Sequence, residues 1–176
     1  INEVDDFDVQ GNEIKGLSET GKAKLNTAGD SIILHFPSTL SAIKIADNAF
    51  SEKFIDKDVK LELSENIEEI GRCAFASNSA ITSIKFNKTS SKLKSIGIKS
   101  FYSAGLVGEI QFPDSLEILS NDCFANNKLT SVTLPDNIKE VWGRVFADNE
   151  ITSADLGKFN GVKARIWLRD INNPNK

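Results

Sequence analysis

Five phenylalanines recur along this chain at intervals of 22 to 26 residues, and this spacing constrains the fold more than any other feature. Each phenylalanine stands five residues after an aliphatic side chain. Self-similarity at a period of about 20 to 50 residues is typical of solenoids and other repeat arrays. The sequence therefore predicts a repeat protein, whose five units are marked by Phe50, Phe75, Phe101, Phe124 and Phe146.

The first half of each unit alternates apolar and polar residues. Alternation with a period of two indicates a half-buried strand whose apolar side faces the core. Proline directly follows three of these strands, and it ends a strand because it has no N–H to donate. The predicted inward residues are Leu34 and Phe36, Leu61 and Leu63, Ile84 and Phe86, Ile110 and Phe112, and Val132 and Leu134.

The second half of each unit has a different apolar spacing. In the second unit the apolar residues follow the i, i+3, i+7, i+8 stripe of a short helix. We therefore predict a short helical segment in each unit, followed by a left-handed turn that leads to the next strand. The stripe of the second unit is Ile67, Ile70, Ala74 and Phe75, and the predicted turn residues are Asn78, Gly105, Asn127 and Asn149.

A unit of this length cannot bury its own apolar face, whereas stacked units bury theirs against each other. The prediction is an α/β repeat solenoid, with a parallel β-sheet on one face and short helical segments on the other. We expect the phenylalanine rings to stack through the core about 4.5–7 Å apart. Five repeats would occupy residues 31–156, between an N-terminal cap of a hairpin and a short helix at 1–30 and a C-terminal cap and polar tail at 157–176.

The composition argues against several classes of function. The 25 acidic and 21 basic residues give a net charge of -4, which disfavours nucleic acid because phosphate binding needs a basic face. A single histidine, His35, cannot build a multi-histidine metal site. No apolar run approaches the roughly 20 residues of a membrane span. We therefore expect no catalytic residue, no cofactor, no metal and no membrane insertion within this chain.

The repeats resemble those of the BspA-type leucine-rich repeat family. The resemblance rests on residues 129–149, LTSVTLPDNIKEVWGRVFADN, on their copies at 81–105 and 106–127, and on the lead-in GLSETGKAKL at 16–25. One unit departs from the pattern, with Asn87 where others have proline. The resemblance implies a leucine-rich repeat fold in an extracellular or cell-wall-associated bacterial protein that lacks catalytic activity and serves adhesion or protein binding.

In leucine-rich repeats the exposed sheet face is the usual binding surface, so the outward strand residues form the candidate site. They make two columns of mixed charge that contain none of the Trp, Tyr or Arg residues that binding hot spots favour. A solvated face without a ligand therefore stays open as an alternative. The first column is His35, Glu62, Lys85, Gln111, Thr133 and Asp155, and the second includes Lys60, Ser83, Glu109 and Ser131.

Two aromatic residues are candidate exposed anchors for a partner. Trp142 occupies a position that holds alanine, glycine or serine in the other units, and Tyr102 follows a repeat phenylalanine where three other units have alanine. An exposed aromatic side chain would mark an interaction site. The alternative for Trp142 is packing against the C-terminal cap near Trp167.

The sequence favours a monomeric, non-catalytic module that binds a protein or glycan ligand, in adhesion or host interaction of a bacterial surface protein. The competing interpretation is a structural spacer that presents another domain at the cell surface. The absence of hot-spot residues from the two columns supports the spacer.

Overall fold

The protein begins with a β-hairpin and one helix in the computed structural model, which describes residues 1–54 and 56–158. Strands β1 (Phe7–Gln10) and β2 (Glu13–Leu17) pair antiparallel, and a 3₁₀ turn at Val4–Asp6 precedes them. Helix α1 (Glu19–Thr27) follows, and its N-cap Ser18 accepts a hydrogen bond from the Gly21 N–H. Strand β2 then pairs in parallel with the first short strand of the repeats, so the hairpin covers that end of the solenoid.

Each turn of the solenoid contributes one long strand and one strand of two residues. The long strands are β3 (Ser31–His35), β5 (Asp58–Glu62), β7 (Ile81–Lys85), β9 (Val107–Gln111), β11 (Lys128–Thr133) and β13 (Ser153–Asp155). The short strands are β4 (Lys44–Ile45), β6 (Glu69–Ile70), β8 (Ser95–Ile96), β10 (Ile118–Leu119) and β12 (Glu140–Val141).

Parallel pairing stacks these turns in register. The short strands extend the hairpin into a seven-stranded sheet with the order β1-β2-β4-β6-β8-β10-β12. The long strands form two three-stranded sheets, β3-β5-β7 and β9-β11-β13. The predicted repeat solenoid with a parallel sheet is confirmed. The cap expected at 157–176 lies outside the described residues, apart from Gly157 and Lys158.

The helical segments predicted in the repeats are wrong, because each described one is a short strand followed by tight turns. Cys73 and Ser77 flank Phe75 with φ of 53° and 57°, which a helix with φ near about −63° cannot accommodate. The Phe75 N–H donates to the Ser100 carbonyl of the next turn at 2.8 Å. Backbone polar groups are thus paired between turns rather than within a helix. The other left-handed pairs are Asn48 and Glu52, Lys99 and Ser103, Asp122 and Asn126, and Arg144 and Asp148.

The repeat phenylalanines form a continuous stack, as predicted. Neighbouring ring centroids along the column lie 5.2, 5.1, 5.2 and 5.7 Å apart, and the rings are within 14° of parallel. This spacing follows from the separation of about 4.8 Å between paired strands, and it suits offset aromatic pairs. All five rings, Phe50, Phe75, Phe101, Phe124 and Phe146, are buried.

Asparagine side chains tie successive turns together. The Asn127 Oδ1 accepts the N–H groups of Ala104 and Leu106, and its Nδ2 donates to the carbonyls of Phe101 and Phe124. The left-handed turn predicted at Asn127, and likewise at Asn78 and Asn149, is wrong, because the residue before each asparagine has the positive φ; the prediction holds at Gly105. Asn78 and Asn149 bridge their own turns in the same way.

The third unit interrupts the sheet of long strands between β7 and β9. Ala104 stands there at the position of the bridging asparagines, and Gly105 and Gly108 have φ of 88° and 74°. A Cβ on Gly105 would lie 2.2 Å from the Ser79 carbonyl oxygen, so only glycine fits. We call this unpaired gap between β7 and β9 the seam; the short strands β8 and β10 of the same two turns still pair.

Candidate ligand-binding face

The outward side chains of the long strands lie side by side in the predicted columns; we call this surface the sheet face. His35 is opposite Glu62, which is opposite Lys85, on the first three-stranded sheet. Gln111, Thr133 and Asp155 continue the column on the second sheet, beyond the seam. In the second column Lys60 is opposite Ser83, and Glu109 is opposite Ser131.

Glu62 is the charged centre of the first sheet. Its Oε2 lies 3.0 Å from the His35 Nδ1, and its Oε1 lies 3.7 Å from the Lys85 Nζ. A shallow depression of about 320 Å³ opens above these three residues and extends to Phe86 and Asn87. The Glu62 carboxylate is therefore already paired within the protein, whereas Glu65 in the same depression accepts a hydrogen bond from the Ser90 hydroxyl and has no ion pair among the described residues.

A larger depression of about 690 Å³ lies over the second sheet, and we call it the C-terminal cleft. Its floor includes the buried side chains of Phe112 and Leu134 and the ring of Pro135. Its polar lining includes the four predicted site residues Glu109, Gln111, Thr133 and Asp155, together with Lys88, Asp114, Asp136 and Lys158.

The charges of the C-terminal cleft are only partly balanced within the protein. Lys88 pairs with Asp114, and the Lys158 Nζ lies 3.3 Å from the Asp136 Oδ2. Asp155 accepts a hydrogen bond from the Gly157 N–H at 2.9 Å but has no ion pair with any described cation. The Glu109 carboxylate likewise has no ion pair in residues 1–54 and 56–158, and both side chains are exposed. Two negative charges thus face solvent without a counter-charge among the residues that the structure describes.

The sequence did not reveal the rim of this cleft. Asp114 and Asp136 follow the strands rather than belong to them, so the alternation of strand residues gave no reason to include them. The sequence feature that could have indicated these two residues is the dipeptide Pro-Asp, which follows two of the strands, at Pro113 and at Pro135.

The two candidate aromatic anchors differ in exposure. Trp142 is 54% exposed, and its indole N–H donates to the Glu140 carboxylate at 3.0 Å. Tyr102 is half-buried, and the Lys99 ammonium lies 5.4 Å from its ring centroid. Neither residue lies on the sheet face. Trp167, the expected packing partner of Trp142, lies outside the described residues.

Cysteine and metal chemistry add no site in the described part of the chain. Cys123 is fully buried, and burial raises the pKa of its thiol well above the ordinary value. Cys73 is half-buried, and both thiols are free. The described residues contain no group of three or more His, Cys, Asp or Glu side chains that would hold a metal ion. Among them there is also no helix long and apolar enough to cross a membrane.

The family of the chain follows from comparison with known proteins. The model of the BspA type leucine rich repeat region matches residues 32–163 in six copies. The chain belongs to this family. The match covers the predicted repeat region from its second residue to its end and adds one copy to the five repeats expected from the phenylalanines. Leucine-rich repeats of this type are repeat scaffolds that support binding and are generally non-catalytic.

A solved structure supports the same fold. The crystal structure of the T. pallidum leucine rich repeat protein is 20% identical, with a TM-score of 0.56, and the match covers 90% of this chain and 87% of that one. At this identity the similarity concerns the fold alone. The comparison with curated proteins found no match.

Proposed function

We propose that this domain is a non-catalytic ligand-binding module of a bacterial cell-surface protein, and that it binds a protein or glycan ligand through the sheet face in adhesion or host interaction. The observation that carries the proposal is the position of the depressions. The described residues that line the 690 Å³ cleft and the 320 Å³ depression belong to the long strands and the turns that follow them.

The charges on the short-strand sheet differ from those on the sheet face, and this difference supports the sheet face as the binding surface. On the short-strand sheet, charged residues are paired between neighbouring turns: Lys44 lies within 3.6 Å of both Glu13 and Glu69. Glu117 likewise pairs with Lys94 and Lys139, and these lysines hold the pKa of its carboxyl below the ordinary value. These charges stabilise the stacking of the turns, whereas the C-terminal cleft leaves carboxylates available to a ligand.

The family assignment supports the surface location and the absence of catalysis. BspA-type repeats are typically found in surface proteins. The described residues also hold few titratable groups in close contact on the sheet face, and the closest set there is Glu62 with His35 and Lys85. We propose that this set stabilises the sheet rather than performs acid–base chemistry.

The experiment is to measure binding of the purified chain to an array of host matrix proteins and glycans. The triple variant Lys85→Glu, Gln111→Arg, Thr133→Arg alters only the sheet face. A matched control carries Lys99→Glu, Ile98→Arg and Asn121→Arg, which are exposed positions away from it and likewise leave the net charge unchanged. We expect a saturable signal that the first variant abolishes and the control retains. Silence of a folded sample across the array would favour the spacer function instead.

A further inference from the structure

We propose that the C-terminal cleft binds an extended segment of a partner protein through two basic side chains, one at Glu109 and one at Asp155. This inference rests on the proposed function of the sheet face and names the chemistry of its ligand. The segment lies across β9, β11 and β13, with its backbone over the apolar floor.

The first argument is charge. The C-terminal cleft is lined by four carboxylates and two lysines, and the lysines are already paired with Asp114 and Asp136. The remaining carboxylates, Glu109 and Asp155, have no ion pair among the described residues. Glu62 provides the internal comparison, because this carboxylate on the same face is flanked by His35 and Lys85. A ligand with basic groups therefore gains more at the second sheet than at the first.

The second argument is the separation of the two carboxylates. Glu109 on β9 is in register with Ser131 on β11, which is in register with Ser153 on β13. Asp155 lies two residues after Ser153 on the same strand. With strands about 4.8 Å apart and a rise of about 3.3 Å per residue, the two positions are about 12 Å apart. In an extended peptide, residues four apart point to the same side at a distance of about 13 Å. Two basic residues with this spacing match the pair.

The third argument is area. Six long strands of about five residues span a face of roughly 500 Å², whereas stable globular interfaces bury about 800 Å² per partner. A second copy of this chain, docked on the sheet face alone, would bury too little surface for a stable dimer. A flexible segment needs less, and it lies over the apolar floor that the largely buried side chains of Phe112, Leu134 and Pro135 form.

The test is fluorescence anisotropy of a labelled peptide that carries arginine at every fourth position, with serine and threonine between. It is titrated with the full chain at low ionic strength. The comparison variant is Glu109→Gln with Asp155→Asn, and the matched control is Glu52→Gln with Glu68→Gln, two exposed carboxylates away from the sheet face. We expect saturable binding that weakens about fivefold in the double variant, stays unchanged in the control and falls as salt is added. A peptide of the same composition with adjacent arginines should bind more weakly.

Equal binding by the double variant, or equal binding of the two peptides, would overturn the inference. Self-association of the chain that the double variant abolishes would assign the cleft to a second copy, which also overturns it. If a ligand from the array bound less tightly to the triple sheet-face variant but equally well to the Glu109→Gln, Asp155→Asn variant, only this inference would be refuted. The proposed function would then stand.

Discussion

The rings of Phe75 and Phe101 stack with their centroids 5.1 Å apart and their planes 5° from parallel, directly beside the seam where β7 and β9 do not pair. The column of rings is therefore continuous where the sheet of long strands is not. At this position the fourth unit depends on its core and on the short strands to stay attached to the third.

Replacement of Phe101 by alanine should be strongly destabilising. The ring is fully buried and stacks on Phe75 on one side and Phe124 on the other. Loss of a buried phenylalanine typically costs about 3–5 kcal/mol of unfolding free energy. Urea unfolding of Phe101→Ala, with Phe101→Leu as the milder control, measures this loss. A loss below about 1 kcal/mol would show that the column is not a principal support of the fold.

The seam should be visible in hydrogen exchange. Leu63 and Phe86 occupy equivalent positions after β5 and β7, and the Leu63 N–H donates to the Lys85 carbonyl at 3.1 Å. The Phe86 N–H has no such bond to any described residue across the seam. We expect the Phe86 amide to exchange faster than that of Leu63, because exchange reports local opening. Equal protection of the two amides would mean that β7 and β9 pair in solution.

The asparagine bridges should contribute a measurable share of the stability. Asn127→Ala would leave the Phe101 carbonyl and the N–H groups of Ala104 and Leu106 without their partner, whereas the Phe124 carbonyl would keep the hydrogen bond from Asn149. Unsatisfied buried groups cost about 1–3 kcal/mol, so we expect a loss of about 3 kcal/mol in chemical denaturation. Asn127→Asp keeps the acceptor but removes both donors, and it should not rescue. Wild-type stability of either variant would contradict the assignment.

Asp6 should make the stability depend on pH in the acidic range. Burial raises the pKa of its carboxyl, but the ion pair with Lys24 and the backbone N–H groups of Glu3 and Asn2 outweigh burial, and the net pKa is lowered. A lowered native pKa contributes stability above the unfolded-state value of about 3.9, and this contribution is lost as the pH falls through the native pKa. Unfolding free energies measured from about pH 6 down to pH 2 should therefore fall more steeply in the wild type than in Asp6→Asn. Parallel curves would show that this carboxyl does not anchor the N-terminus.

Much of the fold could be predicted from the sequence, because apolar alternation reports directly which strand residues face the core. The inward pairs such as Val132 and Leu134 and the outward columns both followed from it. The helices were wrong because the spacing of Ile67, Ile70, Ala74 and Phe75 also fits a short strand followed by a turn. The left-handed residues, such as Cys73, distinguish a strand and turn from a helix. They are of many residue types, so the sequence does not mark them.

The candidate site was only partly predictable. Its columns follow from strand periodicity, so the sequence alone predicts that Gln111 and Thr133 lie on this face. The C-terminal cleft also needs the turn residues Asp114 and Asp136, whose position over the sheet depends on where each strand ends. The seam was not predictable either, because it depends on Ala104 at a position where an asparagine amide would bridge two turns.

The measurement that bears most directly on the account is hydrogen exchange of the chain with and without a ligand captured from the array. We predict that added protection is confined to the long strands and the turns after them, above all β9, β11, β13 and residues 112–115 and 134–137. Protection centred on Trp142 and the short-strand sheet, with no change over the long strands, would contradict the assignment of ligand binding to the sheet face.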